Sequence, residues 1–377
     1  MKTTFTNGIV FTPDGPREGL EVTVDNGLIA SVMPKGEHET GEVVNLDGRF
    51  LVAGFIDTQV NGGGGTLFND RTDVEGITRI AAAHRQFGTT GMLPTLISDD
   101  LDVVSAGLEA VDAAIESGVP GVLGIHIEGP FLNPERRGIH DGDKVRSLTE
   151  DILKDLTPLN GGRTLLTLAP DTVSPRQIQE LVARGFIISG GHSNATRQAL
   201  DLAAGAGLTG ITHLFNAMSQ MQPREPGMVG GALADDRLFC GIIADGHHVN
   251  DQNLEIALRC KGRNRLMLVT DAMPTVGTNL GSFRLGEKTI KVHQGACFDD
   301  QGTLAGTHLY MAEAVRHIQR ATQCPLADAF HMASSSPAEF LGLQSTTGAI
   351  RKGLRADLVI TDPDLNIHQT WINGTPD

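Results

Sequence analysis

Five of the thirteen histidines stand in a few short apolar runs that end in polar residues. His192 closes ISGGH, His213 closes GITH, and Glu128 closes GIHIE two residues after His126. Asp271 ends the run LMLVTD. A carboxylate at the end of such a run is costly to bury unpaired. A lone histidine there is more often a hydrogen-bonded core residue than a ligand. Two such histidines together with a glutamate are an open zinc set, which leaves one position for water. An aspartate on the same axis is placed to act as general base for that water. In GFIDTQVNGGGG (54–65) the polar residues Gln59 and Asn61 stand where many metal-dependent hydrolases carry an alternating His-x-His pair. Both are poor metal ligands.

These residues need a frame that brings the ends of many runs together. Apolar runs ending in polar residues recur at 51–58, 89–97, 119–128, 165–171, 186–193, 208–216, 239–248 and 265–271. Most are separated by stretches with helical spacing and glycine stops, such as PRQIQELVARG and ATRQALDLAAGAG. Eight strands alternating with helices predict an α/β fold, a (β/α)8 TIM-like barrel. An open doubly wound sheet is the structural rival. No G-x-G-x-x-G opens a helix after the first strand, and the four glycines at 62–65 lack a phosphate-loop lysine, which weighs against a nucleotide site. On the barrel reading the strand-end residues converge: Gln59, Asn61, Thr95, His126, Glu128, Asp171, His192, His213, Asn216, Asp245, His247, His248 and Asp271, although His126 is expected at best behind the site and His247 points away from His248 if the segment is extended.

Both chain ends read as short strands with Asn-Gly and Asp-Gly turns. Residues 1–52 and 350–377 are therefore expected to form one small β-sandwich, with 53–349 as the barrel and a β-hairpin insertion near 276–303. A formal net charge of −15 disfavours nucleic-acid and anionic-membrane partners but leaves room for one local cationic pocket. No run approaches the ~18 apolar residues of a membrane helix. The N-terminal MKTTFTNGIVF lacks a signal-peptide core, and four scattered cysteines without a C-x-x-C pair suggest free buried thiols in a reducing cytoplasm.

The fragments GFIDTQVNGGGG, HIEGPF, GHSNAT, THLFNAM, REPG, IIADGHHV and LVTDAMP, in this order and spacing, resemble the N-acetylglucosamine-6-phosphate deacetylases of the amidohydrolase superfamily over nearly the whole chain. The resemblance implies one divalent metal per chain on Glu128, His192 and His213, zinc first, with iron, manganese or cobalt as alternatives. It implies Asp271 as the catalytic acid–base group and substrate contacts at Ile139, His140, Asn216, Ala217, Arg224, His248, Leu304, Ala305 and Gly306. On the same resemblance His140 would donate to the developing oxyanion. Arg224 and His248 would hold a sugar 6-phosphate, with one of them contributed by the second subunit of a homodimer. Gln59 and Asn61 would mark a vestigial second-metal position, as in single-metal members. Deacetylation of N-acetyl-D-glucosamine 6-phosphate is the expected reaction. The galacto epimer, another amidohydrolase substrate and a non-catalytic sugar-phosphate sensor are the alternatives.

Overall fold

The computed structural model describes residues 2–36 and 41–377. Met1 and residues 37–40, within the segment expected for the small sheets, lie outside the described residues.

The eight apolar runs become eight parallel strands: β1 (Phe55–Val60), β2 (Thr89–Ile97), β3 (Gly124–Glu128), β4 (Arg163–Leu168), β5 (Ile187–Gly190), β6 (Leu208–Ile211), β7 (Phe239–Ile242) and β8 (Leu266–Leu268). Each is hydrogen-bonded to the next in chain order. Every residue of β1, β2 and β3 is buried, as expected of parallel strands covered on both faces. Helices α1 (Val74–Arg85), α2 (Leu101–Glu116), α3 (Glu150–Asp155), α4 (Pro175–Ala183), α5 (Arg197–Gly205), α6 (Gly227–Ala234), α7 (Asp251–Arg265) and α8 (Met311–Thr322) follow the strands in turn. Their starts are written locally. Asp73 and Thr196 cap α1 and α5, and Ser174 forms a capping box with Gln177 ahead of Pro175 in α4.

The barrel seam lies between β8 and β1. It is closed just beyond the strands. The Asp271 N–H donates to the Gln59 carbonyl at 3.0 Å, and Val60 and Ala272 form a single parallel bridge. Asp57, fully buried, accepts from the Thr270 hydroxyl at 2.5 Å and from the backbone N–H groups of Gln59 and Thr270 at 3.1 and 3.3 Å. At the other end of the barrel Phe340 and Leu341 pack against Ile56, Leu93, Leu165, Phe239 and Met267.

The first run splits at Gly54. Phe50–Ala53 joins a six-stranded sheet with Ile9–Thr12, Gly15–Glu18, Leu358–Thr361, Ile367–Ile372 and Thr375–Pro376, while β1 begins at Phe55. A Cβ at Gly54 would meet the Thr90 hydroxyl at 2.0 Å, so only glycine lets the chain pass from one sheet to the other here. A second sheet holds Lys2–Thr6, Leu20–Asp25, Leu28–Pro34 and Glu42–Asn45. The two sheets share an apolar core that includes Phe5, Val22, Leu51, Leu358 and Trp371. Phe5 and Trp371 meet edge-on at 5.0 Å.

The insertion is larger than the expected hairpin. Ser282–Leu285, Lys288–His293, Ala296–Phe298 and Leu304–Thr307 form a four-stranded antiparallel sheet. It packs on Leu67 and Met273 through Ile290, Cys297 and Ala305. The thiols are free. Cys240, Cys297 and Cys324 are buried, but Cys260 is exposed on α7, a departure from the expected buried set. Among the described residues no helix is long and apolar enough to cross a membrane.

Candidate active site

Glu128 is the last residue of β3, while His192 and His213 lie two residues past the ends of β5 and β6. Both histidines have left-handed backbone, with φ of 47° and 33°. Such a φ is uncommon for a residue with a Cβ and costs roughly 1–2 kcal/mol. Here it turns each ring over the barrel mouth. His192 Nε2 lies 3.0 Å and His213 Nε2 2.9 Å from Glu128 Oε1, and the two nitrogens are 3.0 Å apart. His192 Nδ1–H donates to the Arg136 carbonyl at 2.8 Å, so its Nε2 presents a lone pair. Three electron-rich atoms thus face one point, an arrangement that needs a cation or a proton between them. Burial opposes ionisation of Glu128, but His192 and His213 hold its carboxyl well below the ordinary range. Burial also disfavours the His213 cation, yet the Glu128 hydrogen bond and charge raise it. This donor set fits a divalent metal, with His192 anchored from behind as metal-bound imidazoles are.

His140 also approaches Glu128 and His192 closely enough to form an alternative trio. Its hydrogen bonds argue against ligation. The Ser98 N–H donates to His140 Nδ1 at 3.1 Å, and the Ser98 hydroxyl lies 2.8 Å from the same atom. The ring proton therefore sits on Nε2, which makes that nitrogen a donor rather than a ligand. Burial, then the neighbouring His192, push the His140 pKa down to about 3, so the ring is neutral.

Asp271 follows β8 and also has left-handed backbone, with φ of 52°. Asn61 Nδ2 donates to its Oδ1 at 2.7 Å, and Gln59 Nε2 donates to the same oxygen at 3.1 Å. Burial and the charge of Glu128 raise its pKa to about 6. The glycines after Asn61 secure this loop. Gly62, Gly64 and Gly65 donate backbone N–H groups to the carbonyls of Ala272, Val276 and Pro274 at 2.8–2.9 Å. A Cβ at Gly62 would meet the Thr66 carbonyl at 2.5 Å. The glycine run is a close backbone splice between the β1 and β8 loops.

A cavity of about 320 Å³ opens over these groups. Asn61, Glu128, Ile139, His140, His192, His213, Asn216, Ala217, His248, Asp271, Leu304 and Gly306 line it. Ala305 is buried beneath, in the apolar cluster of the inserted sheet. Arg224 is exposed, does not line this cavity, and has no ion pair among the described residues.

Not every polar strand-end residue converges. His126 lies below the cavity, with Nε2 2.7 Å from the Thr167 hydroxyl and Nδ1 3.4 Å from that of Thr95. Burial lowers its pKa to about 4. Asp171 braces the loops by accepting from Ser193 and Asn133 at 2.5 and 2.6 Å. His247 turns away and contacts the Gln294 carbonyl at 2.8 Å. Asp245 stands behind His248, 2.6 Å from its Nδ1. Conversely, Arg136 lines the cavity without having been singled out. Its Nε donates to Asn194 at 2.5 Å, its carbonyl holds His192, and it has no ion pair among the described residues. Only the doubled arginine of RRGIHDG hinted at it.

The pattern of the amidohydrolase family matches residues 50–376. Over 86% of this chain and 82% of the other, the sequence is 46% identical to an N-acetylgalactosamine-6-phosphate deacetylase of Shewanella sp. (strain ANA-3). It is 35% identical to an N-acetylglucosamine-6-phosphate deacetylase of Haemophilus influenzae, covering 99% of each chain. The crystal structure of N-acetylglucosamine-6-phosphate deacetylase from Pasteurella multocida superposes with a TM-score of 0.95 at 31% identity, covering 100% of both chains. Enzymes of this family are metal-dependent. A match over residues 50–376 and relatives at 35–46% identity over most of the chain show that the chain belongs to the amidohydrolase family.

Proposed function

We propose that this enzyme hydrolyses the acetamide of N-acetyl-D-glucosamine 6-phosphate, releasing acetate and D-glucosamine 6-phosphate in the cytoplasm. The observation that carries the reading is the meeting of Glu128, His192, His213, His140, Asp271 and His248 on one cavity, in a chain whose relatives act on acetylated amino-sugar phosphates.

Glu128, His192 and His213 would hold one divalent cation per chain, zinc being the simplest fit, and when bound it would acidify water and polarise the acetyl carbonyl. Asp271 takes the proton of the attacking water and returns one to the leaving nitrogen. A carboxyl raised to about 6 can do both near neutrality. The neutral His140 offers Nε2–H to the oxygen that gains charge. His248 takes the 6-phosphate within its own chain, while Ile139, Asn216, Ala217 and the Leu304–Gly306 strand shape the sugar site. Arg224, exposed and without an ion pair among the described residues, suits the phosphate of a partner subunit in a homodimer, through the two-pronged contact a guanidinium makes. Gln59 and Asn61 fill the vestigial second-metal position with amides.

The 46% identity to the Shewanella enzyme favours N-acetyl-D-galactosamine 6-phosphate as the second reading. Acetate release from these sugar phosphates, abolished by a chelator and restored by a divalent metal, tests the proposed chemistry.

A further inference from the structure

We infer that Asp245 is a positioning residue for the substrate phosphate, acting through His248 alone. This rests on the proposed reading of the cavity. His248 lines the cavity, and Asp245 does not. Asp245 Oδ1 accepts the backbone N–H groups of His247 and His248, each at 2.8 Å. Oδ2 lies 2.6 Å from His248 Nδ1. The Asp245 side chain is only 3% exposed and that of His248 6%.

A carboxylate can only accept, so Nδ1 carries the proton and Nε2 is the ring nitrogen left for a ligand. A phosphate dianion also only accepts, so it binds Nε2 only when that nitrogen is protonated as well. The ring must then be an imidazolium, and the buried carboxylate at 2.6 Å stabilises that cation. Burial alone would raise the Asp245 pKa, yet the hydrogen bond and charge of His248 leave it below the ordinary carboxylate value. The adjacent His247 is held elsewhere, on the Gln294 carbonyl. The turn therefore splits two neighbouring histidines, one to the inserted sheet and one to the cavity.

The test compares native protein, Asp245→Asn, His248→Asn and the double variant on N-acetyl-D-glucosamine 6-phosphate and on the unphosphorylated sugar. Asparagine keeps an acceptor for the two backbone N–H groups and removes the charge. In Asp245→Asn the KM for the phosphorylated sugar is expected to rise about tenfold to a hundredfold, the range of a charge-assisted hydrogen bond. Its kcat and the turnover of the plain sugar should stay within about twofold. Added to His248→Asn, the second change should cost nothing more. Equal losses on both sugars, or full additivity in the double variant, would overturn the inference.

A second readout leaves Asp245 intact. Native protein should show a slowly exchanging downfield imidazole proton that is missing from His248→Asn, and its absence would overturn the inference. Native protein active on a sugar phosphate with unchanged selectivity in Asp245→Asn removes this inference alone. Native protein active on neither sugar phosphate removes the functional reading and the inference with it.

Discussion

Gln59 Nε2 stands 3.1 Å from Asp271 Oδ1 and 3.1 Å from Glu128 Oε2, so one amide joins the proposed acid–base residue to a carboxylate of the proposed metal site. Its two hydrogens serve one carboxylate each. Glu128 is left with Oε1 facing His192 and His213, and Asp271 is held at the cavity wall. A second cation is unnecessary where an amide already bridges the two acids. Native protein should therefore carry one tightly bound divalent metal per chain. Gln59→Leu should lower turnover about tenfold to a hundredfold, the cost of losing hydrogen bonds to charged groups. Elemental analysis and steady-state kinetics check both statements. Two metals in active native protein, or full turnover in the variant, would contradict them.

Asp271 and Arg224 provide a paired test of chemistry and assembly. Asp271→Asn should lose about 10²–10⁴ in turnover, the range for a general acid–base group, while metal content stays intact. Arg224→Ala should impair the phosphorylated sugar far more than the plain one. If Arg224 serves the partner's site, refolding the two variants together restores activity. Mixed dimers then hold one site with native Asp271 and native Arg224. Kinetics no better than the sum of the separate variants would place Arg224 in its own chain's site or outside the site altogether.

Asp57 makes stability depend on pH. Burial lifts its pKa from 3.8 to about 7, against the Thr270 and backbone hydrogen bonds that favour the charged form. A folded-state pKa above the unfolded one gives stability that is full below about pH 4 and is lost as pH rises through about 7. At ~1.4 kcal/mol for each pH unit, the change is worth about 4 kcal/mol. Urea unfolding at pH 5 and pH 8 should show about 2.7 kcal/mol of this loss, and Asp57→Asn should flatten it. A slope unchanged by the substitution would show that Asp57 does not titrate there.

The barrel was legible because its parallel strands are largely buried on both faces and so read as mainly apolar runs, with most of the polar groups gathered toward their ends. Glu128, His192, His213 and Asp271 stood out for that reason. Side-chain direction was legible only in part. Alternation along the segment separates His247 from His248. His126 reads as lying behind Glu128, but its place a layer below the cavity depends on the Thr167 contact. The left-handed backbone at His192, His213 and Asp271 is imposed by tertiary contacts, such as the bond from the Asp271 N–H to the Gln59 carbonyl. Asp and His enter this region more often than most residues, but that weak preference does not single out these three positions. Arg136 was passed over because an arginine in a short loop is usually solvated. The insertion showed strand-like fragments, but four-stranded pairing depends on contacts with Leu67 and Met273 that lie far apart in the chain.

The most direct test of the central claim is acetate release by the metal-loaded enzyme, measured side by side on four sugars. These are N-acetyl-D-glucosamine 6-phosphate, its galacto epimer and the two unphosphorylated counterparts. The highest kcat/KM is expected on N-acetyl-D-glucosamine 6-phosphate, with both unphosphorylated sugars well below. Preferential release from N-acetyl-D-galactosamine 6-phosphate would contradict the epimer assignment, and release from neither phosphate would contradict the account as a whole.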